Sequence, residues 1–98
     1  MKFAEKVYQA IKKIPAGRVA TYSQIAALIS NPKAVRAVGQ ALNKNPYAPQ
    51  VPCHRVVASS GHLCGFAKGL ETKKKILQAE GIIIRGEYLD LKRYLCKL

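Results

Sequence analysis

Ninety-eight residues leave room for one compact core and no second domain. Lys and Arg total 17 against 5 Asp and Glu, a formal charge of +12, yet 49% of the residues are hydrophobic. That pairing excludes a disordered basic tail, which lacks the apolar surface to offset the entropy of ordering, and it suits a folded domain that meets a polyanion, nucleic acid ahead of an anionic membrane surface.

The charge is spread along the chain, with 8 basic and 1 acidic residue in positions 1–50 and 9 and 4 in positions 51–98, so no single arm accounts for it. The longest uncharged run, Val19 to Pro32, is broken by Thr, Ser, Gln and Asn and falls short of the ~20 apolar residues of a membrane span. Glu5 and Lys6 stand where a signal peptide would have its apolar segment, so the chain is expected in the cytoplasm. Cys53, Cys64 and Cys96 are an odd set without close pairing, which fits a reducing compartment. Cys53, His54, His62 and Cys64 form two mixed pairs rather than the short paired spacings of a zinc site, so no metal is expected.

In chain order, Phe3, Val7, Ala10, Ile11 and Ile14 repeat at helical spacing until Pro15-Ala16-Gly17 stops the helix. Val19-Ala20-Thr21 predicts a short extended piece. Ser23 then suits the N-cap of a second helix with Ile25, Ala26, Leu28 and Ile29 on one side, broken at Asn31-Pro32. Lys33 to Asn43 predicts a third helix with Val35, Val38 and Leu42 as its apolar stripe, so that residues 23–43 read as a helix-turn-helix. Ala34, Ala37, Gly39 and Ala41 make this helix small-sided. Gly39, costing about 1 kcal/mol relative to Ala, implies close approach by another helix or by a DNA backbone.

Asn43 to Pro49 reads as a loop, and Pro46, Pro49 and Pro52 stiffen the approach to Cys53. Val56-Val57-Ala58 predicts a strand that turns at Ser59-Ser60-Gly61 into a glycine-punctuated loop through Gly69. Glu71 to Glu80 predicts a helix with Ile76, Leu77 and Ala79 inward and Gly81 at C′. Ile82-Ile83-Ile84 then reads as a strand and Asp90 to Cys96 as a short terminal helix. The fold class expected is mainly α, a winged helix-turn-helix-like domain with short β-strands.

Pro52-Cys53-His54-Arg55 sets a thiol, an imidazole and a guanidinium in succession. A thiol beside a base and a cation can act as a thiolate nucleophile, and the same pair also suits a packed cysteine next to a hydrogen-bonded histidine. Neighbouring side chains point apart, so His54 would reach the sulfur through a water. Glu80 sits at the C-terminal end of its helix, where a negative charge opposes the macrodipole. His54 is one partner that would compensate it, and solvent or a lysine is another.

Pro52-Cys53-His54-Arg55-Val56-Val57, Asn45-Pro46, Asn31 to Gly39, Val19 to Ala26 and Ala79-Glu80-Gly81 together resemble the O6-alkylguanine-DNA alkyltransferases over about residues 3–81. The resemblance implies a DNA repair protein that flips O6-alkylguanine out of double-stranded DNA and transfers the alkyl group to Cys53, irreversibly and once per molecule. It implies that His54 takes the thiol proton, that Glu80 orients His54, and that Tyr22 presses on the flanking phosphate and assists departure of the base. Arg36 would enter the stack in place of the lost base. Ala34, Val35 and Gly39 would lie in the minor groove, with Thr21 also at the DNA.

The same resemblance puts Val56, Phe66, Ala67, Lys68 and Leu42 around the guanine and makes Asn45 a hinge between the recognition helix and the active-site loop, about 45–56. Beyond the reach of the resemblance, length and pattern predict one domain over 1–98, with a short C-terminal helix over about 90–96 and no membrane span, and no cofactor and a monomer are expected. Members commonly have a further N-terminal domain. Phe66 stands where a tyrosine is frequent, removing a hydrogen bond worth about 1 kcal/mol. Lys68 replaces a residue that is small in some members. A non-enzymatic alkyltransferase-like lesion binder is the alternative, and in such proteins tryptophan typically replaces the cysteine. A winged-helix transcription factor fits less well, since the third helix offers few side chains for reading base edges.

Overall fold

The protein is represented by a computed structural model that describes residues 2–44, 51–64 and 69–98. Its centre is a parallel ribbon of two short strands, β1 (Ala20–Thr21) and β2 (Val56–Val57), with Ala20 opposite Val56 and Thr21 opposite Val57. Both faces of the ribbon are covered, so all four residues are buried. Successive strand residues point to opposite sides, and here they serve two different cores. Ala20 and Val56 join one with Val7, Ile11, Ile14, Ile25, Val38 and Cys53, while Val19 and Val57 join another with Leu63, Leu77, Ile82, Leu89 and Tyr94.

The first core lies among α1 (Phe3–Ile11), α2 (Tyr22–Leu28) and α3 (Val35–Asn43), which pack on one another pairwise. The Tyr8 hydroxyl donates to the carbonyl of Ala41 at 2.9 Å, tying α1 to α3. The second core is closed by α4 (Leu70–Ala79), by an antiparallel hairpin of β3 (Ile84–Arg85) and β4 (Tyr88–Leu89), and by the single turn α5 (Leu91–Tyr94). The chain end returns to the ribbon, with Val19 N–H donating to Tyr94 O at 2.9 Å and Cys96 N–H to Val19 O at 2.7 Å. Mostly helical with short strands, the chain has the fold class expected from its sequence.

Several local expectations are corrected. Helix α1 ends at Ile11, before the proline, because Ile14 turns back into the core. The cap of α2 is Thr21, not Ser23: the Thr21 hydroxyl accepts from Gln24 N–H at 3.1 Å and Gln24 Oε1 accepts from Thr21 N–H at 2.9 Å, a reciprocal pair available only when the helix begins at Tyr22. Leu28 and Val35 are not inward but 38% exposed each, since Ile25, Ala26, Val38 and Leu42 suffice to close the α2–α3 contact. On α4, Ala79 is exposed and Ile76 half-buried, and the inward positions are Lys73 and Leu77. The strand expected over 82–84 is displaced: Ile82 is buried in the core, Ile83 is exposed, and pairing begins at Ile84. Asp90 caps α5, which is shorter than the 90–96 expected. Asn45 to Pro49 and the loop over 65–68 lie outside the described residues. No described helix is long and apolar enough to cross a membrane.

Candidate active site

Between the two cores the chain enters β2 through one turn of 3₁₀ helix, Cys53–Arg55. Cys53 and His54 are buried there and Arg55 is half-buried. The tight turn sends Cys53 one way and His54 and Arg55 another. Cys53 faces the α1–α3 core, while His54 and Arg55 meet the end of α4.

Glu80, the C-cap of α4, is the point on which these contacts converge. His54 Nε2 lies 3.2 Å from both of its carboxylate oxygens. Arg55 adds its forked guanidinium: Nε donates to Glu80 Oε1 at 3.1 Å and Nη2 donates to Oε2, while Nη1 donates to the carbonyl of Ile14 at 2.8 Å. An acid at a helix C-terminus is unfavourable against the dipole, and a buried imidazole and a guanidinium here offset that cost. Burial pushes the Glu80 carboxyl up, but the hydrogen bonds and charges of Arg55 and His54 outweigh it and leave it below its ordinary 4.5. Burial lowers His54 below its ordinary 6.5 against the upward pull of Glu80, so the ring is neutral near pH 7. A carboxylate only accepts, which assigns the ring proton to Nε2 and leaves Nδ1 with a lone pair.

Two further groups lie close to this turn, Tyr22 packed against the core that holds Cys53 and Lys73 on the residue that follows the turn. Tyr22, the first residue of α2, is pushed up from 10.0 to about 12, by burial first and then by the charges of Cys64 and Cys53, so its hydroxyl stays a donor. Lys73 is 1% exposed, and its ammonium donates to the carbonyl of Val56 at 2.7 Å. Burial lowers it from 10.5 to about 8, while Cys64 and Cys53 pull the other way. Sequence reasoning missed Lys73 because Lys73-Lys74-Lys75 reads as a solvated run. The signal was its register: Leu70, Lys73 and Leu77 fall at i, i+3 and i+7, the apolar stripe of α4.

The structure thus gathers Cys53, His54, Glu80, Tyr22, Arg55 and Lys73. Leu42 and Val56, expected around a bound base, have their side chains committed to the first core, and only the Val56 carbonyl is turned to a polar partner. Phe66, Ala67, Lys68 and Asn45 lie outside the described residues. On α3, Val35 and Arg36 are exposed and Ala34 and Gly39 half-buried. A Cβ at Gly39 would meet only Tyr22 Cε1, at 4.0 Å, so packing against the described residues does not require glycine there. Thr21, expected at DNA, is buried with its hydroxyl engaged in the cap.

A sequence model of the family described as "6-O-methylguanine DNA methyltransferase, DNA binding domain" matches residues 2–82. A methylated-DNA–protein-cysteine methyltransferase of Methanosarcina acetivorans is 51% identical over 80 residues, covering 82% of this chain and 51% of the relative. One of Kluyveromyces lactis is 48% identical over 82 residues, covering 84% and 43%. The chain spans about half the length of the curated relatives it matches. Among solved structures, S. pombe Atl1 in complex with damaged DNA containing O6-carboxymethylguanine superimposes with a TM-score of 0.90 at 34% identity over 100% of both chains. Mycobacterium tuberculosis OGT in complex with DNA does so with a TM-score of 0.79 at 42% identity, over 82% of this chain and 50% of that one.

Proposed function

Because this chain belongs to the family of the 6-O-methylguanine DNA methyltransferase DNA-binding domain, we propose that it repairs O6-alkylguanine in double-stranded DNA by taking the alkyl group onto Cys53. The single observation that supports this most is that Cys53 stands in one tight turn with a buried, Glu80-bound His54, with the Lys73 ammonium held on the Val56 carbonyl at the end of that turn. His54 Nδ1 takes the thiol proton through an intervening water. The thiolate attacks the alkyl carbon, a carbon–sulfur bond forms as the carbon–O6 bond breaks, and the electron pair leaves with the guanine. The Tyr22 hydroxyl supplies a hydrogen bond to the departing base, and the Lys73 ammonium offers positive charge to the attacking sulfur. The thioether is stable, so each molecule acts once and is consumed.

In this reading Glu80 and Arg55 position His54, and the exposed Arg36 at the start of α3 fills the gap left by the flipped nucleotide, whose unstacking costs a few kcal/mol. Ala34, Val35 and Gly39 present a low surface to the minor groove, and Thr21 stands at the DNA with Tyr22, at the start of α2. The base-pocket role of Phe66, Ala67 and Lys68 and the hinge role of Asn45 fall outside the described residues and rest on the family likeness alone, and residues 1–98 are taken to act as one domain.

The full-length likeness to Atl1 bound to damaged DNA favours a second reading, lesion binding without transfer. Intact-protein mass separates the two after mixing with a duplex containing one O6-methylguanine. Transfer adds one methyl group, about 14 Da, to the wild-type chain and not to Cys53→Ala. Tight lesion binding with no gain in mass would establish the binder.

A further inference from the structure

The family match ends at residue 82, and the β3–β4 hairpin lies beyond it. One side chain nevertheless connects that hairpin to the cysteine-bearing side of the molecule. His62 Nε2 lies 3.0 Å from Glu87 Oε1 at the hairpin turn, and the ring stands edge-on to Tyr88 with centroids 5.0 Å apart. On the other side of the same ring, the backbone N–H of Cys64 donates to Nδ1 at 2.9 Å. Together these contacts fix the proton. The Glu87 carboxylate only accepts, so Nε2 is protonated, and Nδ1 has the lone pair that Cys64 N–H requires. Glu87, Tyr88 and Cys64 are the titratable groups facing His62 in these contacts.

The backbone around His62 is equally bound. Leu63 N–H donates to Glu87 O at 2.9 Å, Leu89 N–H to Gly61 O at 3.0 Å, and His62 bridges Tyr88. A Cβ at Gly61 would lie 2.5 Å from Leu89 O, so the approach is closed to other residues. Cys64 is held at φ +61, a left-handed conformation uncommon for a residue with a side chain and sustained only where the surroundings over-determine it. Leu63, the residue before Cys64, packs in the second core with Val57, beside the Val56 carbonyl that holds the Lys73 ammonium, and with Leu77, one helical turn from Lys73 itself. The electrostatics of Tyr22 and Lys73 respond to Cys64 as they do to Cys53. The residue anchored by His62 therefore borders the surroundings of the acceptor thiol.

We propose that His62, oriented by Glu87 and Tyr88 of the C-terminal hairpin, is a positioning residue of the alkyl-transfer site that fixes Cys64 beside Tyr22 and Lys73. The hairpin outside the family-matched region is then part of the site's support. This rests on the alkyl-transfer reading above, and the test separates the two.

Single-turnover methyl transfer is followed by intact mass for the full chain and for His62→Ala, His62→Asn and Glu87→Ala, on duplexes with and without O6-methylguanine. His62→Ala slows transfer at saturating duplex by about fivefold to tenfold, the loss expected from one hydrogen bond, with unchanged affinity for undamaged duplex. His62→Asn restores most of the rate, since Asn Oδ1 stands near the place of Nδ1 and accepts from Cys64 N–H. Glu87→Ala shows a smaller loss than His62→Ala. Equal rates in all four proteins, or a loss in His62→Ala that follows its thermal midpoint and is not restored by asparagine, would overturn the proposal. If the wild-type chain gains no mass, the transfer reading alone falls. The anchor is then read from the affinity ratio of lesion over undamaged duplex: a drop in His62→Ala restored in His62→Asn sustains it, and an unchanged ratio overturns it.

Discussion

Lys73 has the least comfortable position of any side chain near the thiol. A drop from 10.5 to about 8 corresponds to roughly 3 kcal/mol against the charged form, although the group is still an ammonium at pH 7. A methionine of similar length would relieve that penalty while leaving the Val56 carbonyl without its donor, a loss of about 1–3 kcal/mol. Lys73→Met is therefore expected to keep its unfolding free energy within about 2 kcal/mol of wild type yet transfer alkyl groups at least about tenfold more slowly, since only the latter depends on the charge. Thermal melts and single-turnover rates on one preparation decide it. His54 and Glu80 give a second expectation with a definite sign. Both titrate lower in the folded chain than in the unfolded one, so the unfolded chain binds more protons as the pH falls below 6.5, and more again below 4.5. Stability is lost in that direction and regained on raising the pH. The thermal midpoint should fall on acidification from pH 6.5, and Glu80→Gln should remove the part of the fall that begins below 4.5. Cys53, His54 and Arg55 were legible because they are contiguous, and Glu80 because an acid at a helix C-terminus calls for a partner. Lys73 was hidden by Lys74 and Lys75, whose charges mask a stripe position.

Among the elements, α2 shows why helix boundaries are harder to read than helices. Ser23 and Thr21 are both good capping residues, and propensity alone does not choose between them. Pairing does: β1 ends at Thr21 because its partner β2 ends at Val57, and the chain must turn into the helix there. Gln24 then serves twice, accepting from Thr21 N–H and donating from Nε2 to the carbonyl of Cys96 at 2.9 Å, so the cap also fastens the chain end. Thr21→Ala should cost about 1 kcal/mol, a fall of about 4–8 °C in thermal midpoint for a domain this size, whereas Ser23→Ala should change it by less than about 2 °C. Equal effects from the two would return the cap to Ser23. The hairpin was not legible for a related reason. Ile82-Ile83-Ile84 has the composition of a strand, but only pairing with Tyr88 and Leu89 sets where it starts, and the isoleucine run contains no sign of that partner.

Among the described residues the charge is almost wholly unpaired. Arg55 is the only Lys or Arg side chain in an ion pair among the described residues; the remaining pairs join His54 to Glu80 and His62 to Glu87. A formal +12 with so little internal pairing leaves a field that attracts a polyanion before any specific contact forms. Lys33, Arg36 and Lys44 are exposed on and beside α3, next to the low surface of Ala34 and Gly39, so part of that field lies where the groove would be approached. Neutralising phosphates releases counterions, and the logarithm of the association constant falls with the logarithm of salt by about 0.9 per phosphate contacted. Undamaged duplex should thus be bound with a slope of about −4 or steeper, measured by fluorescence anisotropy across a salt series. Lys33→Ala and Lys44→Ala should each lessen that slope by at most about one, as phosphate contacts do. Arg36→Ala should instead lower transfer on the lesion more than it changes affinity for undamaged duplex, because its proposed work begins only when a base leaves the stack. A flat salt response would show that the charge serves something other than DNA.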